Sequence, residues 1–184
     1  MINDLVRLAR APSGTLTLSE RKPDSGTRCG CCAADHAVHL VADIPLCLTC
    51  VPAFALDEEG IDNIASIIWL PHVDQGVLSR LTAALHAVAA QEGHRVLDSN
   101  LTGWSAKASL SYKALVVRQT AAIAKMGSSR PSELRAAVLG LSEEQMDGRK
   151  GESGLRILIN GTWFASHPDR YYSTLRSAFR KGGR

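Results

Sequence analysis

The sequence predicts an α+β fold in which a small metal-bearing region of short strands is stapled onto a mostly helical core. Three features carry that expectation. Two Cys-x-x-Cys pairs stand close together, short apolar runs end at Pro or Gly, and longer stretches repeat apolar residues at three- and four-residue steps. With 184 residues, 45% of them hydrophobic, the chain reads as a single domain, 1–184. Within it, 24–56 is the metal-binding region and 64–126 a strand with two amphipathic helices. The remainder, 127–184, is a helical part with one short strand.

The cysteine region reads Cys29-Gly-Cys31-Cys32, fourteen residues, then Cys47-Leu-Thr-Cys50. Each Cys-x-x-Cys pair forms a tight turn that aims two thiolates at one point, and the spacer is long enough for a hairpin to return the chain. That is the requirement of a tetrahedral four-thiolate zinc site. Disulfides compete, but five cysteines leave one over, and Met1-Ile-Asn-Asp-Leu-Val-Arg7 carries an early acid and no apolar segment, unlike a secretory signal. The expected ligands are Cys29, Cys32, Cys47 and Cys50. Cys31 is the spare thiol, or the replacement for Cys29 or Cys32 if the first turn slips by one residue. Four protein ligands close the coordination sphere and leave no place for water or substrate, so the expected Zn2+ is structural.

Taken in order, Thr15–Ser19 alternates as a strand would, and 21–26 is a loop by composition. A short strand is expected over 36–41, turned by Asp43-Ile-Pro45 into the second cysteine pair. Val51–Leu56 begins a short helix with Pro52 in its first turn. Ile64–Leu70 is a strand stopped by Pro71. The clearest helix runs from about Asp74 to Gln91. Its predicted inner face is Leu78, Leu81, Leu85 and Val88, with Arg80, Thr82 and His86 facing away and Gly93 as its stop. A second helix spans about Ser109 to Met126, with the seam Leu110, Ala114, Val117, Ala121 and Ala124. A third runs from Pro131 through Leu139. Ser142 and Gln145 have capping-box spacing, 147–154 is a loop, Leu155–Ile159 is a strand, and a last helix covers about Pro168 to Lys181.

Composition restricts function. Net charge is +3 and charged residues make up 21%, which does not indicate attraction of the whole protein to nucleic acid. Basic residues do gather at the end, at Arg170, Arg176, Arg180, Lys181 and Arg184. With Trp163, Phe164, Tyr171 and Tyr172 they would touch nucleic acid by charge and stacking, but they read more simply as the wet face and core side of one helix. No apolar run approaches the roughly 20 residues of a membrane span. Neither a phosphate loop nor a Gly-x-Ser-x-Gly elbow occurs.

Asp35-His36 and His39, lying between the cysteine pairs, invite comparison with zinc-braced HNH nucleases. Those need a longer passage after the histidine, containing Asn, and a further His or Asn past the last cysteine. Here no Asn lies between His36 and Cys47, and Val51, Pro52 and Ala53 follow Cys50. His36 and His39 read as solvent-facing groups or as partners around the zinc.

The two cysteine pairs, the strand closing on Trp69-Leu70-Pro71 and the amphipathic helix Gln75–Val88 resemble the IcmJ (DotN) component of type IVB secretion systems. The likeness continues more faintly through Tyr112-Lys113 to Lys125, Gly127–Pro131 and Leu155 to Phe179. It implies an HNH-like or treble-clef-like zinc fold without nuclease activity. It also implies an adaptor role, with a segment of the coupling ATPase and other secretion-complex subunits as partners, in the cytoplasm at the inner membrane's inner face. The alternatives are a zinc-braced DNA-binding or regulatory protein and a degenerate HNH nuclease.

Overall fold

The apolar runs Ala65–Trp69 (β3) and Leu155–Ile159 (β4) pair with each other from distant parts of the chain. They form an antiparallel two-stranded sheet in which Ile67 stands opposite Ile157. The computed structural model describes residues 9–10, 23–34, 37–142, 144–145 and 154–165. The strand expected at Thr15–Ser19, His36, most of the 147–154 loop and the helix expected over 168–181 lie outside these residues.

All five residues of β4 are buried, which explains why its sequence alternates only loosely. One side of the sheet, with Ile67, Leu155, Ile157 and Ile159, belongs to a core shared with the cysteine region. Ile68 and Leu158 point the other way, into a second core with Leu78, Ala89, Ala108 and Tyr112. A strand covered on both faces has no polar side to display, so apolar residues occupy both. The one charged residue, Arg156, is buried, with its Nη1 donating to Leu155 O at 2.7 Å.

Both outer edges of this sheet are satisfied by other groups. The Gln75 side chain accepts from Ile157 N at 2.8 Å and donates to Ile157 O at 2.9 Å, and Tyr112 Oη donates to Ile159 O at 2.8 Å. On the β3 edge, Ile67 N donates to Ser129 O and Trp69 N to Arg118 O. Unpaired strand edges invite foreign strands, and here side chains and loops occupy them.

A second small sheet holds β1 (His39–Val41) and β2 (Ile44–Leu46), antiparallel, with Leu40 opposite Pro45. Its two-residue turn, Ala42-Asp43, has φ of 47° and 62°. Two positive φ values give the type I′ geometry that suits the strand twist but favours Asn-Gly over Ala-Asp. Replacing the pair by Asn-Gly is therefore expected to stabilise the protein by about 1 kcal/mol, read as a higher melting temperature.

Helices cover the rest. After a 3-10 turn at Val51–Ala53 comes α1 (Ile61–Ile64), then α2 (Gln75–Gln91), capped by Asp74, whose carboxylate accepts from Val77 N at 2.7 Å. Gly93, at φ 79°, ends α2 as expected. The expected second helix is two: α3 (Gly103–Val116) and α4 (Gln119–Met126). Helix α3 begins earlier than the periodicity suggested because Glu92, at the end of α2, caps it by accepting from Ser105 N at 3.1 Å. α5 (Pro131–Leu139) matches expectation, and Ser142 and Gln145 bond reciprocally as a capping box. α6 (Gly161–Ala165) follows β4.

The face predicted for α2 holds in part, with Leu78 buried, Leu85 and Val88 packed against the second core and Arg80 exposed. The seam predicted for the second helix is overturned. On α2 the buried side is Gln75, Leu78, Ser79, Thr82, His86 and Ala89, while Leu81 is 43% exposed. Thr82 and His86, expected outside, are inside. On α3 the buried side is Ser105, Ala108, Ser109 and Tyr112, whereas Leu110 and Val117 are each 68% exposed. The two helices pack on each other through small and polar side chains, which permit a close approach that a Leu-based seam would prevent.

His86 lies edge-on to Tyr112 with ring centroids 5.0 Å apart. Burial holds its pKa down at about 4, opposed by a hydrogen bond with Ile159, and burial likewise pushes the Tyr112 phenol up. A histidine buried neutral resists charging. Its stabilising contribution is complete above the ordinary value near 6.5 and is lost as pH falls toward 4. By pH 5 the loss should reach about 2 kcal/mol, and denaturant titrations of His86→Phe should show a flatter pH dependence by that amount. Equal slopes would show that His86 does not govern this acid limb.

Candidate metal centre

The two cysteine turns are built by the backbone. In the first, Ala33 N donates to Cys29 O and Cys29 N to Ala34 O, each at 2.8 Å, with Ala33 at φ 60° closing the turn. Gly30 N donates to Pro45 O at 2.7 Å, which fastens this turn to β2. A side chain at Gly30 would press on Ile44 Cγ2 at 3.0 Å, so glycine lets the two approach. In the second turn, Cys50 N donates to Cys47 O at 2.9 Å, and Cys50 leads into the turn at Val51–Ala53. The hairpin β1–β2 joins the two turns, and Val38 N bonding Leu46 O extends it toward the cysteines.

The sulfurs of Cys29, Cys32, Cys47 and Cys50 consequently lie within 4.8 Å of one another, all four residues buried. Cys32 Sγ and Cys47 Sγ are 3.6 Å apart. Tetrahedral thiolates about 2.3 Å from one ion stand about 3.8 Å apart, so the spacing fits a metal and exceeds a disulfide bond. All five cysteines are free thiols. Cys31 is half-buried and outside the cluster of four, although its thiol reaches the Cys50 sulfur. The register is thus the expected one, with Cys31 left over.

Charge is unevenly held among these thiols. Hydrogen bonds from Cys32, Cys47 and Cys50 hold Cys29 far below the ordinary thiol range. Cys50 is pushed far up, chiefly by its hydrogen bond with Cys29, then by the other thiols and burial. Cys29 and Cys32 are held down while Cys47 and Cys50 are pushed up, so negative charge on one thiol disfavours it on its neighbours. A divalent cation removes that obstacle. The amides of Cys32 and Ala34 point at the Cys29 and Cys32 sulfurs, donors that offset thiolate charge.

Two residues that the sequence does not tie to the cysteines brace the centre. Gly76, in the first turn of α2, lies so close to the knuckle that a Cβ there would collide with Cys31 O and sit 3.1 Å from Cys32 Cα. Trp163 Nε1 donates to Leu48 O at 2.9 Å, tying α6 to the second cysteine turn. Val51, Phe54 and Ile67, close in sequence to the cysteines or facing the same core, are 1%, 4% and 0% exposed. Trp69 is half-buried, with Lys125 Nζ 4.2 Å from its ring centroid. His39 lies in β1, outside the thiol cluster. Among the described residues no helix is long and apolar enough to cross a membrane. No family model matches the chain, and no curated protein matches it.

Proposed function

We propose that the four thiolates hold a structural Zn2+ and that the protein is a non-enzymatic adaptor. The observation that carries the reading is the closed, buried set of Cys29, Cys32, Cys47 and Cys50. Four sulfurs of this kind complete a tetrahedral sphere and leave no position for a reacting water, so the metal supplies rigidity and no Lewis-acid chemistry. Thiolate donors favour Zn2+ over the hard cations Mg2+ and Ca2+.

The order of knuckle, two-stranded hairpin, second cysteine pair and helical turn supports a treble-clef-like reading of residues 24–56. An HNH nuclease would need metal-binding groups just past Cys50. Val51, Pro52 and Ala53 occupy those positions, and all are buried. With catalysis set aside, the motif order that resembles IcmJ (DotN) points to the coupling complex of a type IVB-like secretion or conjugation system. There the protein would bind a segment of the coupling ATPase at the cytoplasmic face of the inner membrane and help recruit substrates.

The test is an affinity pull-down of the tagged chain at native expression from its own host, with mass spectrometry of the bound proteins. Recovery of a membrane-anchored ATPase with other secretion subunits is the expected result. Recovery of DNA alone, released by salt, would overturn the adaptor reading in favour of a zinc-braced DNA-binding protein.

A further inference from the structure

The seam Leu110, Ala114, Val117, Ala121 and Ala124 has the spacing of a helix-packing face, yet the protein turns it outward. Leu110 and Val117 are each 68% exposed, Ala114 and Ala124 are exposed, and Ala121 is half-exposed. Trp104 at 66% and Ile123 at 45% are further exposed apolar residues of the same two helices. The junction between α3 and α4 tightens to i→i−3 bonds, Arg118 N to Leu115 O at 3.0 Å and Thr120 N to Val117 O at 3.2 Å, and i→i−4 bonds flank it. Val117 N donates to Lys113 O at 3.0 Å and Ala122 N to Arg118 O at 3.3 Å, with Val117 and Arg118 both in the right-handed helical region.

The charge around this surface has one sign. Lys107, Lys113, Arg118 and Lys125 are all exposed on these two helices, and no Asp or Glu occurs from Ser99 through Ser132. Glu92, at the end of α2, meets α3 at its buried Ser105. We propose that the outward face of α3 and α4 docks an acidic amphipathic helix of a partner protein. Its apolar stripe would lie along Leu110, Val117 and the alanines, and its flanking carboxylates would meet Lys107, Lys113, Arg118 and Lys125.

Charge and side-chain size decide among occupants. The chain's own C-terminal stretch carries Arg170, Arg176, Arg180, Lys181 and Arg184, with Asp169 its one acid from Pro168 onward, so it would set like charge on like. A second copy docking through the same face would do the same. An anionic bilayer satisfies the lysines, but interfacial helices bury Trp, Phe and Leu, and alanines at 114, 121 and 124 offer lipid little apolar area. The same alanines let a helix backbone come close.

The proposal rests on the adaptor reading in requiring a protein partner, and its test is separate from the pull-down. A displayed library of helical peptides, with a fixed Leu/Ile seam and flanking positions randomised among Glu, Gln and Lys, is selected on the full-length zinc-loaded protein. Glu should be enriched about ten-fold over Lys at the flanks, and the selected peptides should bind Leu110→Glu/Val117→Glu at least about ten-fold more weakly. Both substitutions are at exposed positions, so zinc content and melting temperature should be unchanged. Equal recovery of Glu and Lys, or undiminished binding by the double variant, overturns the proposal. So does binding to phosphatidylglycerol vesicles that the double variant loses, which would give the face to a membrane. If the double variant still recovers the secretion complex in the pull-down, this face falls while the adaptor reading stands.

Discussion

Replacing Cys47 by serine should yield a protein that carries no zinc and has lost on the order of 4–6 kcal/mol of stability, measured by metal analysis and denaturant unfolding. Cys47 follows β2 directly and its sulfur faces Cys32. Three remaining thiolates would leave the ion an open position and leave their own charge less well compensated. The loss is large because the cysteines belong to the main core with Val41, Leu46, Phe54 and Ile157 and do not form a detachable appendage. A domain's whole stability is typically about 5–15 kcal/mol, so at the lower end this variant unfolds. The companion variant Cys31→Ser should keep one zinc per chain and its melting temperature. Loss of metal in Cys31→Ser, or its retention in Cys47→Ser, would overturn the ligand assignment. Stripping zinc from the unaltered protein with a chelator should reproduce the Cys47→Ser unfolding curve, which guards against a purely packing effect of the substitution.

What could be read from the sequence was whatever depends on local rules. The cysteine spacing, Pro131 opening α5, Gly93 closing α2, Asp74 ahead of it and Ser142 with Gln145 each act within a few residues, and each stands where it was expected. The interior faces were less legible because hydrophobicity alone does not decide burial where small polar residues fit between helices. Ser79, Thr82, Ser105 and Ser109 are buried at 1%, 1%, 0% and 3% exposure because α2 and α3 pack closely, and a close approach selects side-chain size before polarity. Leu110 and Val117, read as core, are instead among the most exposed apolar residues. The four cysteines that cluster were legible and the residues that brace them were not. Gly76 and Trp163 act on the knuckle from α2 and α6, across separations in sequence that no spacing rule spans.

Gln75 shows the same limit most sharply, and it leads to the other large effect. A glutamine in the first turn of an exposed-looking helix attracts no notice, yet this one is 7% exposed and serves β4 as a substitute strand. Gln75→Leu keeps the branched end one bond shorter, without its polar atoms, and leaves Ile157 N–H and C=O buried without those partners. Each orphaned group costs about 1–3 kcal/mol, so a total near 3 kcal/mol is expected, with m-value unchanged. Hydrogen exchange provides the specific readout: the Ile157 amide should lose protection while Ala65 and Trp69 in β3 lose less. The consequence should reach the metal as well. Gln75 adjoins Gly76, whose backbone lies against Cys31 and Cys32, so releasing the first turn of α2 from β4 loosens one wall of the knuckle. A chelator should then remove zinc faster from Gln75→Leu than from the unaltered protein. An unchanged melting temperature with Ile157 still protected would mean that another group covers the β4 edge. A lowered melting temperature with unchanged zinc release would mean that α2 supports the sheet alone.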